Sequence, residues 1–208
     1  MNTACYAGPP SRAIDQMVLA AVDRLQNRSP QQLAAQSGAR LLPDGELSLS
    51  SLGREILVTL PDCRTDPLLD GWHYLLLLHY LDLADGAGLA GRWITFGEMP
   101  EGLIRGVKFD RTVEESLGRF LLSRDQAQVN AAFRSLGGEF LPSKADLTVR
   151  LLLFPYFPVQ INIWFADEEF SASARMLLDG NAGHVLTVED AVVAGELILR
   201  LLENSPSR

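Results

Sequence analysis

ADLTVRLLLFPYFPVQINIWFADEEF, residues 145–170, is the stretch on which the fold turns. Two apolar runs flank Pro155 and Pro158, residues that cannot donate to a ladder and so mark where one strand stops and the next begins. In the second run Val159, Ile161, Ile163 and Phe165 share one face, and Gln160, Asn162 and Trp164 the other, as a half-buried strand requires. The pair predicts an antiparallel hairpin. Beyond it the chain sets Asp167, Glu168 and Glu169 between Phe165 and Phe170.

Upstream, SRAIDQMVLAAVDRLQ carries apolar residues at helical spacing, and SPQQLAAQSG reads as a shorter helix started by Ser29 and Pro30. ARLLPDGELSLSSLGREILVTLP alternates and is punctuated by Pro43-Asp44-Gly45 and Gly53, which predicts a small antiparallel meander ending at Pro61. DPLLDGWHYLLLLHYLDLADG is apolar nearly all round, the composition of a helix at the centre of a domain. Asp66 is its expected N-cap and Pro67 its first residue. GRWITF reads as a short strand and EMPEGLIRGVKFD as a loop, followed by amphipathic helices in RTVEESLGRFLLS and RDQAQVNAAFRSLGG. SASARMLL fits a strand or a helical turn, and TVEDAVVAGELILRLLEN is a long helix with a capping-box start at Thr187 and Asp190. The expected architecture is α+β: one domain over residues 13–203, antiparallel sheet segments packed on a buried central helix and several amphipathic helices, with a flexible leader (1–12) and tail (204–208).

With 208 residues the chain can bury roughly 70% of its unfolded surface and needs neither disulfide nor metal to fold. A net charge of −8 and a pI near 4.9 argue against a nucleic-acid or anionic-membrane surface, which would need clustered Lys and Arg. Two isolated cysteines, Cys5 and Cys63, are too few to hold an iron-sulfur cluster within one chain and suit a reducing cytoplasm. No stretch of 18 apolar residues is present to span a bilayer, and the first residues lack the pattern of a signal peptide.

The ordered segments LLLLHYL, GLAGRWITFGEMP, PVQINIWFADEEFSASARMLLD and LTVEDAVVAGELIL resemble an uncharacterised domain-of-unknown-function family of mainly anaerobic bacteria and archaea, some of whose members are labelled iron-sulfur proteins. The resemblance runs from about residue 35 to residue 203. His79, Trp93, Phe96, Asp167, Glu168, Glu169, Phe170, Glu189 and Asp190 match its pattern, while Ser171 stands where that pattern has proline. The iron-sulfur label goes with cysteine-rich segments that this chain lacks. The family implies no reaction.

GAGLAG, with Gly86, Gly88 and Gly91, spells a dinucleotide fingerprint, but a helix precedes it and a strand follows, the reverse of what a pyrophosphate site needs. The glycines are expected to cap a helix and turn the chain. His73 and His79 lie six residues apart, about 120° around one helix, and cannot share an ion. His79 is either a core histidine bonded to a carbonyl or carboxylate, or a ligand or proton-transfer group. The acids at 167–169 either occupy a solvated turn pinned by Phe165 and Phe170, or turn partly inward as acid, base or cation ligand. Arg119, Arg134 and Arg150 are expected in surface ion pairs.

The composite expectation is a cytoplasmic small-ligand or cofactor-binding accessory domain. Its cleft would join His79 to Asp167, Glu168 and Glu169, with Tyr80, Trp93 and Trp164 as aromatic walls. A tetrapyrrole or corrinoid with His79 as axial ligand is one candidate occupant. The alternatives are an enzyme using an Asp or Glu with His79 for general acid/base chemistry, with or without a divalent cation, and a protein-interaction domain, including self-association.

Overall fold

The computed structural model describes residues 6–7 and 12–205. The fold is α+β, with all strand pairs antiparallel and split between two sheets. Helices α1 (Arg12–Leu25) and α2 (Pro30–Ser37) lead into the first sheet, β1 (Arg40–Leu41), β2 (Leu47–Ser51), β3 (Arg54–Thr59) and β4 (Arg64–Asp66), in that spatial order. Central helix α3 (Gly71–Leu83) follows, then β5 (Trp93–Ile94), α4 (Gly102–Leu122) and α5 (Gln126–Ser135). The second sheet is completed by β6 (Glu139–Leu141), β7 (Leu147–Phe154), β8 (Phe157–Trp164) and β9 (Ser173–Asp179), in the order β5-β9-β8-β7-β6, before α6 (Val188–Glu203).

The hairpin of residues 145–170 is the middle of this second sheet. Arg150 lies opposite Gln160 and Val149 opposite Ile161, so Val149, Leu151, Val159, Ile161 and Ile163 are all buried. SASARMLL is strand: β9 pairs along β8 and its alternate residues Ala174, Met176 and Leu178 are buried. The two sheets meet where the Leu52-Gly53 turn joins β2 to β3, and Leu52 N–H donates to the Leu152 carbonyl of β7 at 2.7 Å. Gly53 and Gly137 touch there backbone to backbone: a Cβ on Gly53 would come 2.8 Å from the Gly137 Cα.

Helix α3 is buried on nearly every side, as its composition demands. Its two internal tyrosines satisfy their hydroxyls inside the core, Tyr74 donating to the Cys63 carbonyl and Tyr80 to the Ser37 carbonyl. Its start departs from expectation. Asp66 is the last residue of β4, opposite Leu57, and Asp70 caps the helix by accepting from Trp72 N–H and His73 N–H. The meander likewise gains a fourth strand beyond Pro61, because β3 offers a second ladder edge to Arg64–Asp66.

A second correction concerns EMPEGLIRGVKFD, which is helical from Gly102 onward, after a 3-10 turn at Phe96–Glu98. Gly102 and Gly106 depress local helix propensity. Both are required by packing: a Cβ at either would lie 2.3 or 2.1 Å from the Phe96 carbonyl oxygen. The Asp110 carboxylate then clamps the turn by accepting from Phe96 N–H and Gly97 N–H, each at 3.0 Å. The expected leader and tail fall largely outside the described residues, although Tyr6 is buried against the start of α3 and the exposed Ala7 donates its N–H to the Leu69 carbonyl.

Candidate functional site

Antiparallel topology disperses the residues that the sequence grouped. The acidic turn joins β8 to β9, and Asp167 closes it locally, its carboxylate accepting from Glu169 N–H and Phe170 N–H at 2.9 and 2.7 Å. Those bonds hold the Asp167 carboxyl below the ordinary carboxylate range. Glu168 and Glu169 are exposed. Phe165 packs on the core, but Phe170, expected to pin the turn, is 70% exposed, because the Asx turn directs its ring outward. Trp164 lies at the same end, opposite Ser173. Trp93 pairs with Asp179 at the other end of β9, about 20 Å away at ~3.3 Å per strand residue. Tyr80 accepts from Tyr156 N–H in the β7–β8 turn, again at the end of β8 remote from the acids.

His79 is a carboxylate-bonded histidine at the domain's side. Its Nδ1 lies 2.7 Å from Asp190 Oδ1, and the other Asp190 oxygen accepts from the Thr187 hydroxyl in the N-terminal cap of α6. Burial opposes ionisation of Asp190, yet the His79 and Thr187 contacts outweigh it and leave the carboxyl below its ordinary value. The polar partners of the histidine thus lie on α6, and those of Asp167 within the acidic turn itself. GAGLAG is a loop between α3 and β5, moored by the buried Asp179 carboxylate, which accepts from Ala90 and Gly91 N–H. Of the three arginines, Arg150 pairs with Glu139, Arg134 lies over the Phe140 ring and Arg119 donates to Ser116.

The best-formed cavity lies elsewhere, at the junction of the two sheets with α3, α5 and α6. It encloses about 270 Å³ and is walled by Leu52, Ile56, Leu69, Leu136, Leu197 and Leu201. Its polar lining is drawn from separate elements, with Asp70 at the cap of α3 and Ser135 at the end of α5 joining four further residues. Ser51 ends β2 on that strand's buried face, Arg54 opens β3, His73 sits in the first turn of α3, and Arg200 in the last turn of α6. Ser51 Oγ and His73 Nε2 are 2.7 Å apart. Arg200 donates to Asp70 at 3.0 Å, while Arg54 has no ion-pair partner among the described residues.

Burial drives His73 down from its ordinary 6.5 to about 4; Asp70 acts against the shift and the guanidiniums of Arg54 and Arg200 reinforce it. The imidazole is therefore neutral at pH 7. Two guanidiniums against one carboxylate leave the cavity with positive charge on a chain of net −8. A second cavity, about 370 Å³, adjoins across Leu197 and Arg200 and adds Trp72, Arg105, Val193 and Glu196. Among the described residues, no group of three or more His, Cys, Asp or Glu side chains is arranged to hold a metal ion.

Sequence reasoning did not name Ser51, and weighed His73 only as a co-ligand that His79 could not share. The usable signal was Ser51 itself, a polar residue in phase with Leu47 and Leu49 on the buried face of a strand, where a hydroxyl needs a partner. Nothing local could pair it with a histidine 22 residues on.

Fold and site together define an α+β domain with a cavity at the seam of two antiparallel sheets, lined by two arginines and one aspartate. The chain matches the domain of unknown function DUF3786 over residues 29–201 and belongs to that family. No curated protein and no solved structure matches it. No helix among the described residues is long and apolar enough to cross a membrane.

Proposed function

We propose that the domain binds a small, apolar anion in the Ser51–His73 cavity, as a cytoplasmic ligand-binding module. The observation that carries this is the polar set itself: a neutral histidine hydrogen-bonded to a buried serine, with the guanidinium of Arg54 unpaired and that of Arg200 paired to Asp70, in a cavity whose remaining wall is mostly aliphatic. A carboxylate or phosphate would be gripped by Arg54, with Arg200 beside it, and its hydrocarbon would replace water against Leu52, Ile56 and Leu197.

Isothermal titration with hexanoate, benzoate and their neutral amides tests this. The acids are expected to bind and the amides to bind at least about tenfold more weakly, with Arg54→Ala erasing the difference. Equal affinity for acid and amide, or no binding by any of them, overturns it.

A second reading, acyl transfer from Ser51 with His73 as base, is favoured by the 2.7 Å contact alone. Leu52 N–H, the adjoining donor that could stabilise an oxyanion, is already committed to Leu152. Covalent labelling of Ser51 by a fluorophosphonate, lost in His73→Gln, would select this reading; an unlabelled chain would exclude it.

A further inference from the structure

Five charged side chains line the two adjoining cavities, and among the described residues three of them have no ion-pair partner. Arg54 is the unpaired one in the Ser51–His73 cavity; Arg105 and Glu196 are those of the second. The remaining two, Arg200 and Asp70, are bonded to each other at 3.0 Å where the cavities meet.

Little separates the two spaces. Leu197 and Arg200 of α6 line both, and the Arg200 side chain is half-exposed, so it swings aside without disturbing the core. Along α6 the lining runs without a break from Val193 and Glu196 in the second cavity to Arg200 and Leu201 in the first, about 12 Å at ~1.5 Å per residue. Helix α3 bridges them too: Trp72 lines the second cavity and its neighbour His73 the first. Arg105 comes from the first turn of α4, which the Gly102 and Gly106 contacts with Phe96 hold in place.

We infer that the two cavities form one elongated site, and that its ligand is a linear acid with an α-amino-acid group at its far end. This rests on the anion site proposed above and extends it. Charge decides the class. In the first cavity Arg54 and Arg200 outnumber Asp70 by one, which calls for a single carboxylate. The second adds one guanidinium and one carboxylate, which calls for an anion and a cation on the same end group. The ligand's second carboxylate meets Arg105, and its ammonium meets Glu196 beside the Trp72 indole. A plain carboxylate at that end would face Glu196 with like charge, and a plain amine would face Arg105 so. The methylenes between the two ends cover Leu197 and Val193.

Isothermal titration of the full chain at pH 7 with octanoate, suberate, 8-aminooctanoate and L-2-aminosuberate tests this. The last is expected to bind at least about tenfold more tightly than each of the others. Arg105→Ala and Glu196→Ala are each expected to bring the ratio of aminosuberate to octanoate affinity within about twofold of unity. Both positions are exposed, so the variants keep the fold, which circular dichroism verifies. Octanoate binding that depends on Arg54, with aminosuberate no tighter or its gain indifferent to Arg105 and Glu196, overturns the joined site and leaves the anion site standing. No binding by any of the four overturns both.

Discussion

His73 carries the sharpest prediction of any single residue. Its value of about 4 in the folded state lies below the 6.5 of an accessible imidazole, so between those limits the unfolded chain takes up a proton that the native chain does not. Stability therefore rises with pH across that window: it is full above pH 6.5 and falls as pH drops toward 4, by at most about 3 kcal/mol. Asp190 acts lower down. Its depressed carboxyl contributes stability above the ordinary value of 3.8 that is lost only as pH falls through its own lower value. Urea midpoints between pH 7 and pH 4.5 thus isolate His73, and His73→Phe is expected to flatten the curve there. An unchanged slope would mean that the imidazole is solvated rather than buried against Ser51.

At the scale of the element, α4 sets two glycines of one helix against each other. Gly106→Ala brings a methyl to within 2.1 Å of the Phe96 carbonyl oxygen, so the helix must back away from its turn. The expected result is destabilisation by about 1–3 kcal/mol in spite of alanine's better propensity. Gly118 meets nothing, and Gly118→Ala should instead stabilise the fold by about 0.5–1 kcal/mol. Thermal melts of both variants read the opposite signs. This helix also shows where local patterns fail: a run with Gly102 and Gly106 reads as loop by propensity, and only the close approach of Phe96 and Gly97 turns the same glycines into contact points.

At the scale of the whole molecule, Tyr80 ties three parts of the chain. Its hydroxyl donates to Ser37 at the end of α2 and accepts from Tyr156 N–H in the β7–β8 turn, while its ring stacks 4.7 Å from Phe154. Burial holds the phenol far above its ordinary range, so it stays protonated in these bonds at any working pH. Tyr80→Phe keeps the ring and strands two buried backbone groups, at an expected cost of about 1–3 kcal/mol in urea unfolding with an unchanged far-ultraviolet spectrum. A neutral substitution would show that water satisfies both groups.

The elements were legible because their causes are local. Alternation from Val159 to Ile163 dictates a strand, the apolar circumference of residues 74–81 dictates a central helix, and Thr187 with Asp190 dictates where α6 begins, because each rests on spacing along the chain. His79, Trp93 and the acids at 167–169 were visible as chemistry but not in their placement. Strand direction decided part of that, carrying the acidic turn to one end of β9 and Trp93 to the other. The cavity was the least legible feature, since Ser51, Arg54, His73 and Arg200 are unremarkable where they stand in the chain. They become a site only when a β-turn, a helix start and a helix end are packed around one space, and packing between distant elements is information that no local spacing contains.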